Sequence, residues 1–79
     1  MNKRTIQERI INKSSRLDKN GRDYLLLTLD NEEKIFVFPS KVNNSEWDKL
    51  EEGKRYEFTV EEGNTGSNLL TSFESLESE

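Results

Sequence analysis

The clearest pattern in the chain is a pair of apolar runs that lie between residues 24 and 42. The runs, residues 24–29 and 34–38, flank a polar turn at residues 30–33, and the second run ends at Pro39, the single proline. Runs of this length, rich in Leu, Ile, Val and Phe and bounded by turn residues, are typical of β-strands. The pattern therefore predicts a β-hairpin at the centre of the fold.

The register of this hairpin decides which side chains are buried, because a slip of one residue turns every side chain to the opposite face. A three-residue loop, 31–33, puts the aliphatic side chains of both strands on one face and leaves Tyr24, Phe36 and Phe38 on the other. The pairs are then Leu29 with Ile35, Leu27 with Val37, Thr28 with Phe36 and Leu26 with Phe38. A two-residue loop instead turns Phe36 and Phe38 into the core, so that no aromatic face exists. Both registers fit the sequence.

A long first strand is predicted before the hairpin. Residues 4–17 carry isoleucines at a spacing that also fits one face of a helix. The Asp-Lys-Asn-Gly segment at 18–21 is a turn signal, because Asn-Gly tolerates the positive φ that tight hairpins require. We therefore favour a bent strand that pairs with the next strand through this turn.

Two more strands are predicted after the hairpin. Residues 54–61 alternate strictly between polar and apolar, which predicts a half-buried strand. The inward side chains are Tyr56, Phe58 and Val60, and the outward ones are Arg55, Glu57, Thr59 and Glu61. After a turn at 62–66, residues 68–73 predict a last strand. The residues predicted to share one of its faces are Leu69, Thr71 and Phe73.

A short helix is predicted between the two halves of the sheet, over residues 43–53. Ser45 is its expected N-terminal cap and Gly53 its C-terminal stop. Trp47 and Leu50 lie three residues apart and face the same way. We expect that face to plug one end of the sheet.

The chain has 79 residues, which predicts one small domain over 1–79 with a core at about 5–73 and an acidic, flexible tail at 74–79. Hydrophobic residues make up 30% of the sequence and charged residues 35%. A domain of this size and composition is marginally stable. Its few apolar residues must therefore be concentrated in one core.

Several classes of chemistry have no support in the sequence. The chain contains no Cys and no His, and it has no Gly-rich phosphate loop and no nucleophile elbow. We therefore expect no enzyme activity, no catalytic residue, no metal, no cofactor and no small-molecule substrate. No apolar run approaches the roughly 18 residues that a membrane span needs, and the start lacks a signal-peptide core. We expect a cytoplasmic protein without a membrane partner.

Charge is unevenly distributed along the chain, whose net charge is −4. Residues 1–30 contain seven basic and four acidic residues, whereas residues 31–79 contain five basic and twelve acidic ones. An acidic balance argues against strong nonspecific binding of phosphates. It leaves room for a local basic strip in the first half.

The predicted order is strand, strand, strand, short helix, strand, strand. In this order the chain resembles the OB-fold, most closely the small single-stranded-DNA-binding OB domains related to replication protein A, over roughly residues 5–73. The resemblance is carried by the hairpin NGRDYLLLTLDNEEKIFVF, the helix with Trp47 and the strand GKRYEFTV. It implies an all-β fold, a five-stranded OB-fold-like barrel with a short helix between strands three and four.

The resemblance also implies a binding face on strands two and three. Carried over to this sequence, the residues that stack on bases are Tyr24, Phe36 and Phe38, and those that contact phosphates are Arg22 and Lys34. The implied function is binding of single-stranded nucleic acid, DNA in preference to RNA, in replication. The alternative is an OB-fold protein-interaction module, or a small acidic inhibitor or adaptor in a nucleic-acid-processing assembly, because an acidic domain can attract a basic protein partner.

Overall fold

A computed structural model describes residues 3–63 and 67–76, and in this part of the chain five strands close into a barrel. The strands are β1 (Lys3–Leu17), β2 (Asp23–Leu29), β3 (Lys34–Val37), β4 (Arg55–Glu62) and β5 (Asn68–Ser75). A 3₁₀ helix, Asn44–Lys49, lies between β3 and β4. The predicted OB-fold-like barrel is confirmed. The helical segment in this part is too short and too polar to cross a membrane.

β1 confirms the predicted long first strand and joins both halves of the barrel. Its first half pairs with β4, from Lys3 opposite Glu61 to Arg9 opposite Arg55, and its second half pairs with β2. A bulge at Ile11 interrupts the register between the two halves. Bulges bend a strand and increase its twist, which allows β1 to follow the curvature of the barrel.

The strand order around the barrel is β1-β2-β3-β5-β4. Closure depends on the parallel contact between β3 and β5, which has only two residue pairs, Ile35 with Asn68 and Phe36 with Leu69. The other contacts are antiparallel and longer. The β3–β5 contact is therefore the shortest seam of the barrel.

The core has the composition that the alternation predicts. Every second residue of β2, β3 and β4 is buried. The buried apolar side chains of the strands are Ile6, Ile10, Leu25, Leu27, Leu29, Ile35, Val37, Tyr56, Phe58, Val60 and Leu70. Full burial of one such side chain contributes about 1.5–3 kcal/mol, so this set is the main source of stability in a chain with few apolar residues.

The predicted plug is confirmed, although its helix is shorter and capped differently. Trp47 and Leu50 are buried, and Trp47 Nε1 donates a hydrogen bond to the Val42 carbonyl at 3.0 Å. The capping residue is Asn43, whose side chain accepts from the Ser45 backbone N–H at 3.0 Å. The prediction that Ser45 caps the helix is wrong, because the helix begins one residue before Ser45 and leaves its N–H for Asn43 to bind.

Two predictions about β4 and β5 are also wrong. Glu61 is not outward but 9% exposed, and its carboxylate lies 3.5 Å from Lys41 Nζ and 3.9 Å from Lys3 Nζ. Two cations offset part of the cost of burying the carboxylate. In β5, a bulge opposite the Thr59–Val60 step interrupts the alternation, so Leu70 is buried and Phe73 packs against the core. The predicted common face of β5 is therefore broken at Thr71.

β5 continues to Ser75, two residues past its predicted end. The first part of the predicted turn at 62–66 is seen in the hydrogen bond from the Gly63 N–H to the Ser67 carbonyl, at 2.8 Å. Residues 64–66 of that turn and residues 77–79 of the predicted acidic tail lie outside the described residues.

Candidate nucleic-acid interface

The β2–β3 hairpin has a register that neither predicted loop produces. Leu26 lies opposite Phe36, and Leu27 lies opposite Ile35. The loop is 30–32: the Leu29 N–H donates to the Glu33 carbonyl at 2.9 Å, and Glu32 adopts a φ of 72°. Both predicted sets of pairs are therefore wrong.

The observed register differs by two residues from the register that the predicted three-residue loop produces: Leu27 lies opposite Ile35 instead of Val37. A shift of two residues leaves every side chain on its original face, because strand side chains alternate with a period of two. The division into an aliphatic core face and an aromatic outer face, which the three-residue loop predicts, is therefore confirmed, and the alternative with Phe36 and Phe38 in the core is wrong. Ile35 and Val37 are fully buried, whereas Phe36 and Phe38 are only half-buried.

Three aromatic rings lie together on this outer face. We call Tyr24, Phe36 and Phe38 the aromatic surface. The ring centroids of Tyr24 and Phe38 are 5.3 Å apart, those of Tyr24 and Phe36 6.0 Å, and those of Phe36 and Phe38 6.2 Å. The ring planes of Phe36 and Phe38 differ by only 10°. The plane of the Tyr24 ring differs from those of Phe36 and Phe38 by 25° and 33°. A group of aromatic rings in such close proximity suits planar ligands that stack on them.

Arg16 extends the aromatic surface onto β1. It pairs with Tyr24 across the β1–β2 ladder, and directly opposite residues of an antiparallel pair have their side chains on the same face. Sequence reasoning missed Arg16. The turn at 18–21 carried the signal, because a hairpin closing there, with Leu17 opposite Asp23, brings Arg16 opposite Tyr24.

Lys34 lies at the other end of the same face. It pairs with Thr28 on β2, which in turn pairs with Asn12 on β1. Lys34 and Arg16 are both exposed, and within residues 3–63 and 67–76 neither side chain forms an ion pair. Their charges are therefore available to a ligand on the aromatic surface.

Arg22 occupies a different position, in the turn between β1 and β2. It lines a cavity of about 90 Å³ together with Phe38 and two carboxylates, Asp18 and Asp23. The Asp18 side chain accepts backbone hydrogen bonds from Arg22 at 2.9 Å and from Asn20 at 2.8 Å. The first of these bonds is the main reason that the pKa of Asp18 lies below its ordinary value. Arg22 is thus next to the aromatic surface but partly balanced by acids.

A polar cluster holds the backbone beneath Lys34. Arg4 forms an ion pair with Glu33, and its Nη2 lies 3.3 Å from Asn68 Oδ1. Asn68 Nδ2 donates to the Lys34 carbonyl at 3.1 Å. The hydrogen bond from Arg4 is the main cause that lowers the pKa of Glu33. We call Arg4, Glu33 and Asn68 the polar clasp, since it joins β1, the start of β3 and β5.

The five residues that the sequence predicts for the site therefore lie on one side of the barrel. Three of them form the aromatic surface, Lys34 lies at one end of that surface, and Arg22 lies beyond the other end. The acidic residues are dispersed: no three Asp or Glu side chains in residues 3–63 and 67–76 are close enough to hold a metal ion.

Comparison with known proteins reveals a likeness of fold. No family model matches the chain, and no curated protein matches its sequence. Among solved structures, the chain is similar to Rim1, a mitochondrial single-stranded DNA binding protein from S. cerevisiae, with a TM-score of 0.76 and 18% sequence identity. The alignment covers 99% of this chain and 97% of that one. At this identity the likeness concerns the fold, so function has to be argued from the surface.

Proposed function

We propose that this chain binds single-stranded DNA on the aromatic surface. Tyr24, Phe36 and Phe38 stack on successive bases, while Arg16 and Lys34 contact phosphates at the two ends of the surface. Arg22 makes a weaker phosphate contact, because Asp18 and Asp23 lie beside it. The observation that carries the proposal is the group of three half-buried rings on the outside of the barrel.

The exposure of these rings supports a binding role. The chain has few apolar residues, yet three of its seven aromatic side chains lie together on this outer face instead of being buried. An aromatic ring on which a base stacks contributes roughly 1–3 kcal/mol to binding, whatever the base. Three rings therefore supply useful affinity with little preference for sequence.

The charges predict moderate affinity with weak salt dependence. Few cations surround the surface, and each phosphate contact to a single strand adds about −0.7 to the slope of log K against log salt concentration. Two full contacts, from Arg16 and Lys34, correspond to a slope near −1.4. Stacking therefore supplies most of the affinity.

The fold likeness adds independent support. Rim1 is, by its name, a single-stranded DNA binding protein, and its fold matches this chain over nearly the whole length of both. Such an argument rests on analogy, because one fold serves many functions. The aromatic surface is the feature of this chain that makes the analogy specific.

Fluorescence anisotropy with a labelled oligo-dT of about 16 nucleotides tests the proposal. Trp47 is unsuitable as a reporter because it is buried in the plug. We expect saturable binding that weakens between about 50 and 200 mM salt. A flat titration at the lower salt concentration, with protein shown by circular dichroism to be folded, would overturn the proposal. A matched oligo-rU tests whether DNA is preferred to RNA.

A further inference from the structure

A second surface lies on the barrel between the helical plug and the outer half of β5. It is a cleft of about 460 Å³. Its apolar part is formed by Val42, Tyr56 and Phe73, and Phe73 is half-buried with its ring edge-on to Tyr56 at a centroid distance of 6.0 Å. None of the cleft residues belongs to the aromatic surface.

One wall of this cleft is a strand edge. β5 pairs with β3 only as far as Leu69, since β3 ends at Val37, and beyond Leu69 its pairing is with β4 on the other side. Residues 71–75 all line the cleft. Because alternate side chains of a strand point to opposite faces, a run of consecutive lining residues means that the backbone edge itself borders the cleft.

The opposite wall leaves this edge unoccupied. In residues 3–63 and 67–76, no backbone hydrogen bond joins residues 70–74 to residues 38–49 across the cleft. An unpaired strand edge presents backbone N–H and C=O groups in the spacing of a β-ladder. Its natural ligand is an extended backbone.

The charged residues around the cleft indicate which charge the side chains of such a ligand should carry. Lys41 is paired with Glu61 at 3.5 Å, and Lys49 is paired with Glu46 at 3.0 Å. Glu74 has no ion-pair or hydrogen-bond partner within the described residues. Glu74 is therefore the charged residue of the cleft lining that is left for a ligand, and a cationic side chain suits it.

The residue opposite Glu74 strengthens this preference. Glu74 lies directly across the β4–β5 ladder from Glu57. Like charges in this position repel each other. A cation placed beside Glu74 relieves that repulsion, so a basic ligand gains more than a neutral one.

We propose that the cleft binds an extended, basic segment of a partner protein, which adds to β5 as a further strand. Phe73 and Glu74 are neighbours in the strand and their side chains point to opposite faces. The segment that matches them alternates apolar residues, which pack on Phe73, with Lys or Arg, which pairs with Glu74. This binding mode is independent of DNA binding, because the two surfaces share no residue.

A capped heptapeptide of alternating Lys and Val is the direct probe. Amide NMR spectra of the full chain are recorded during titration with this peptide. We expect saturable shifts centred on residues 71–74. The same peptide with N-methyl groups on its edge-facing amides is expected to bind at least about tenfold more weakly, because two ladder hydrogen bonds are lost. An alternating Glu and Val peptide is expected to bind more weakly still.

Charge reversal at Glu74 separates this site from general electrostatic attraction. Glu74→Lys is expected to weaken the Lys-Val peptide by about fivefold, the effect of one exposed ion pair. Glu62→Lys makes the same charge change at an exposed residue outside the cleft and is expected to leave binding within about twofold. Glu74→Gln serves as a milder variant if Glu74→Lys impairs folding.

Three results would overturn the proposal. The first is the absence of saturable shifts at residues 71–74. The second is equal binding of the N-methylated peptide, which would mean that the strand edge is not used. The third is a shift of the same amides by oligo-dT, which would assign the cleft to nucleic acid.

Discussion

Single side chains on the outer face of β2 and β3 differ in exposure from their neighbours in sequence. Ile35 and Val37 are fully buried, whereas Phe36 between them and Phe38 after them are half-buried. Alternation alone explains which residues point outward. Alternation does not require the outward residues to be aromatic. Aromatic side chains in place of polar ones distinguish this surface from an ordinary solvent-facing surface.

Phe36→Ala tests the stacking role of the aromatic surface. Loss of one stacking ring costs roughly 1–3 kcal/mol, so the Kd for oligo-dT is expected to rise by about 5- to 150-fold. Phe73→Ala is the matched control, because Phe73 is also a half-buried Phe of a strand but lies in the cleft of β5. Equal Kd values for Phe36→Ala and the unchanged protein, measured by anisotropy, would argue against stacking at this position.

Arg16→Ala tests the contribution of β1 to phosphate binding. Removing one phosphate contact is expected to make the slope of log K against log salt concentration less steep by about 0.7. Arg9→Ala is the control, since Arg9 is an exposed Arg in the half of β1 that pairs with β4. The measurement is a salt series of anisotropy titrations, and an unchanged slope in Arg16→Ala would remove Arg16 from the interface.

At the scale of elements, the 3₁₀ helix and β4 are joined by one tyrosine. The Tyr56 hydroxyl donates to the Lys49 carbonyl at 2.6 Å and accepts from the Glu51 N–H at 2.9 Å. These two bonds satisfy backbone groups where the helix ends, and helix ends leave such groups without intrahelical partners. The plug is therefore held in place by the two hydrogen bonds of the Tyr56 hydroxyl as well as by the packing of Trp47 and Leu50.

Tyr56→Phe is expected to lower the free energy of unfolding by about 1–3 kcal/mol, because it removes two partly buried hydrogen bonds of about 0.5–1.5 kcal/mol each while the ring still packs. Tyr24→Phe makes the same chemical change on the outer face, where no hydrogen bond to the hydroxyl is formed within the described residues, and it is expected to leave stability almost unchanged. Urea unfolding followed by circular dichroism measures both. Equal stability of the two variants would mean that the hydrogen bonds of the Tyr56 hydroxyl do not contribute to the stability of the fold.

At the scale of the whole molecule, closure of the barrel depends on its shortest seam. The β3–β5 contact has two residue pairs, and the polar clasp supports it by joining Arg4 and Glu33 to Asn68. Asn68 is itself largely buried and binds the Lys34 backbone. The clasp therefore stabilises the barrel and also positions one end of the proposed interface.

The polar clasp predicts a pH dependence of stability. Arg4 lowers the pKa of Glu33 in the folded state, so Glu33 adds stability above its ordinary pKa of about 4.3, and this contribution is lost as the pH falls through the folded-state pKa. Glu33→Gln is therefore expected to be less stable than the unchanged protein at pH 7, by at most about 1 kcal/mol. The difference should shrink toward zero in strong acid.

Glu32→Gln is the control for this prediction, because Glu32 is the exposed sequence neighbour of Glu33. Urea unfolding at a series of pH values compares the three proteins. If Glu33→Gln and the unchanged protein differ by the same amount at all pH values, the ion pair with Arg4 is not the source of the stabilisation.

The strands, the apolar core positions of β2 and β4 and the place of the plug could all be predicted from the sequence. These features follow from the alternation of apolar residues and from turn residues, both of which are local properties of the chain. Leu25, Leu27, Tyr56 and Phe58 are buried for this reason. The resemblance to the OB-fold followed from the order of the same elements.

The three-dimensional structure was needed to establish the hairpin register, the burial of Glu61 and the open edge of β5. The register depends on the geometry of the loop 30–32, in which Glu32 has a positive φ. Positive φ values are uncommon for residues other than Gly, so a Glu at this position gives no sign of such a turn. The other features depend on contacts between residues distant in sequence, such as Glu61 with Lys3 and Lys41. Local patterns contain no information on which distant segments will meet, because that choice is made by the packing of the whole barrel.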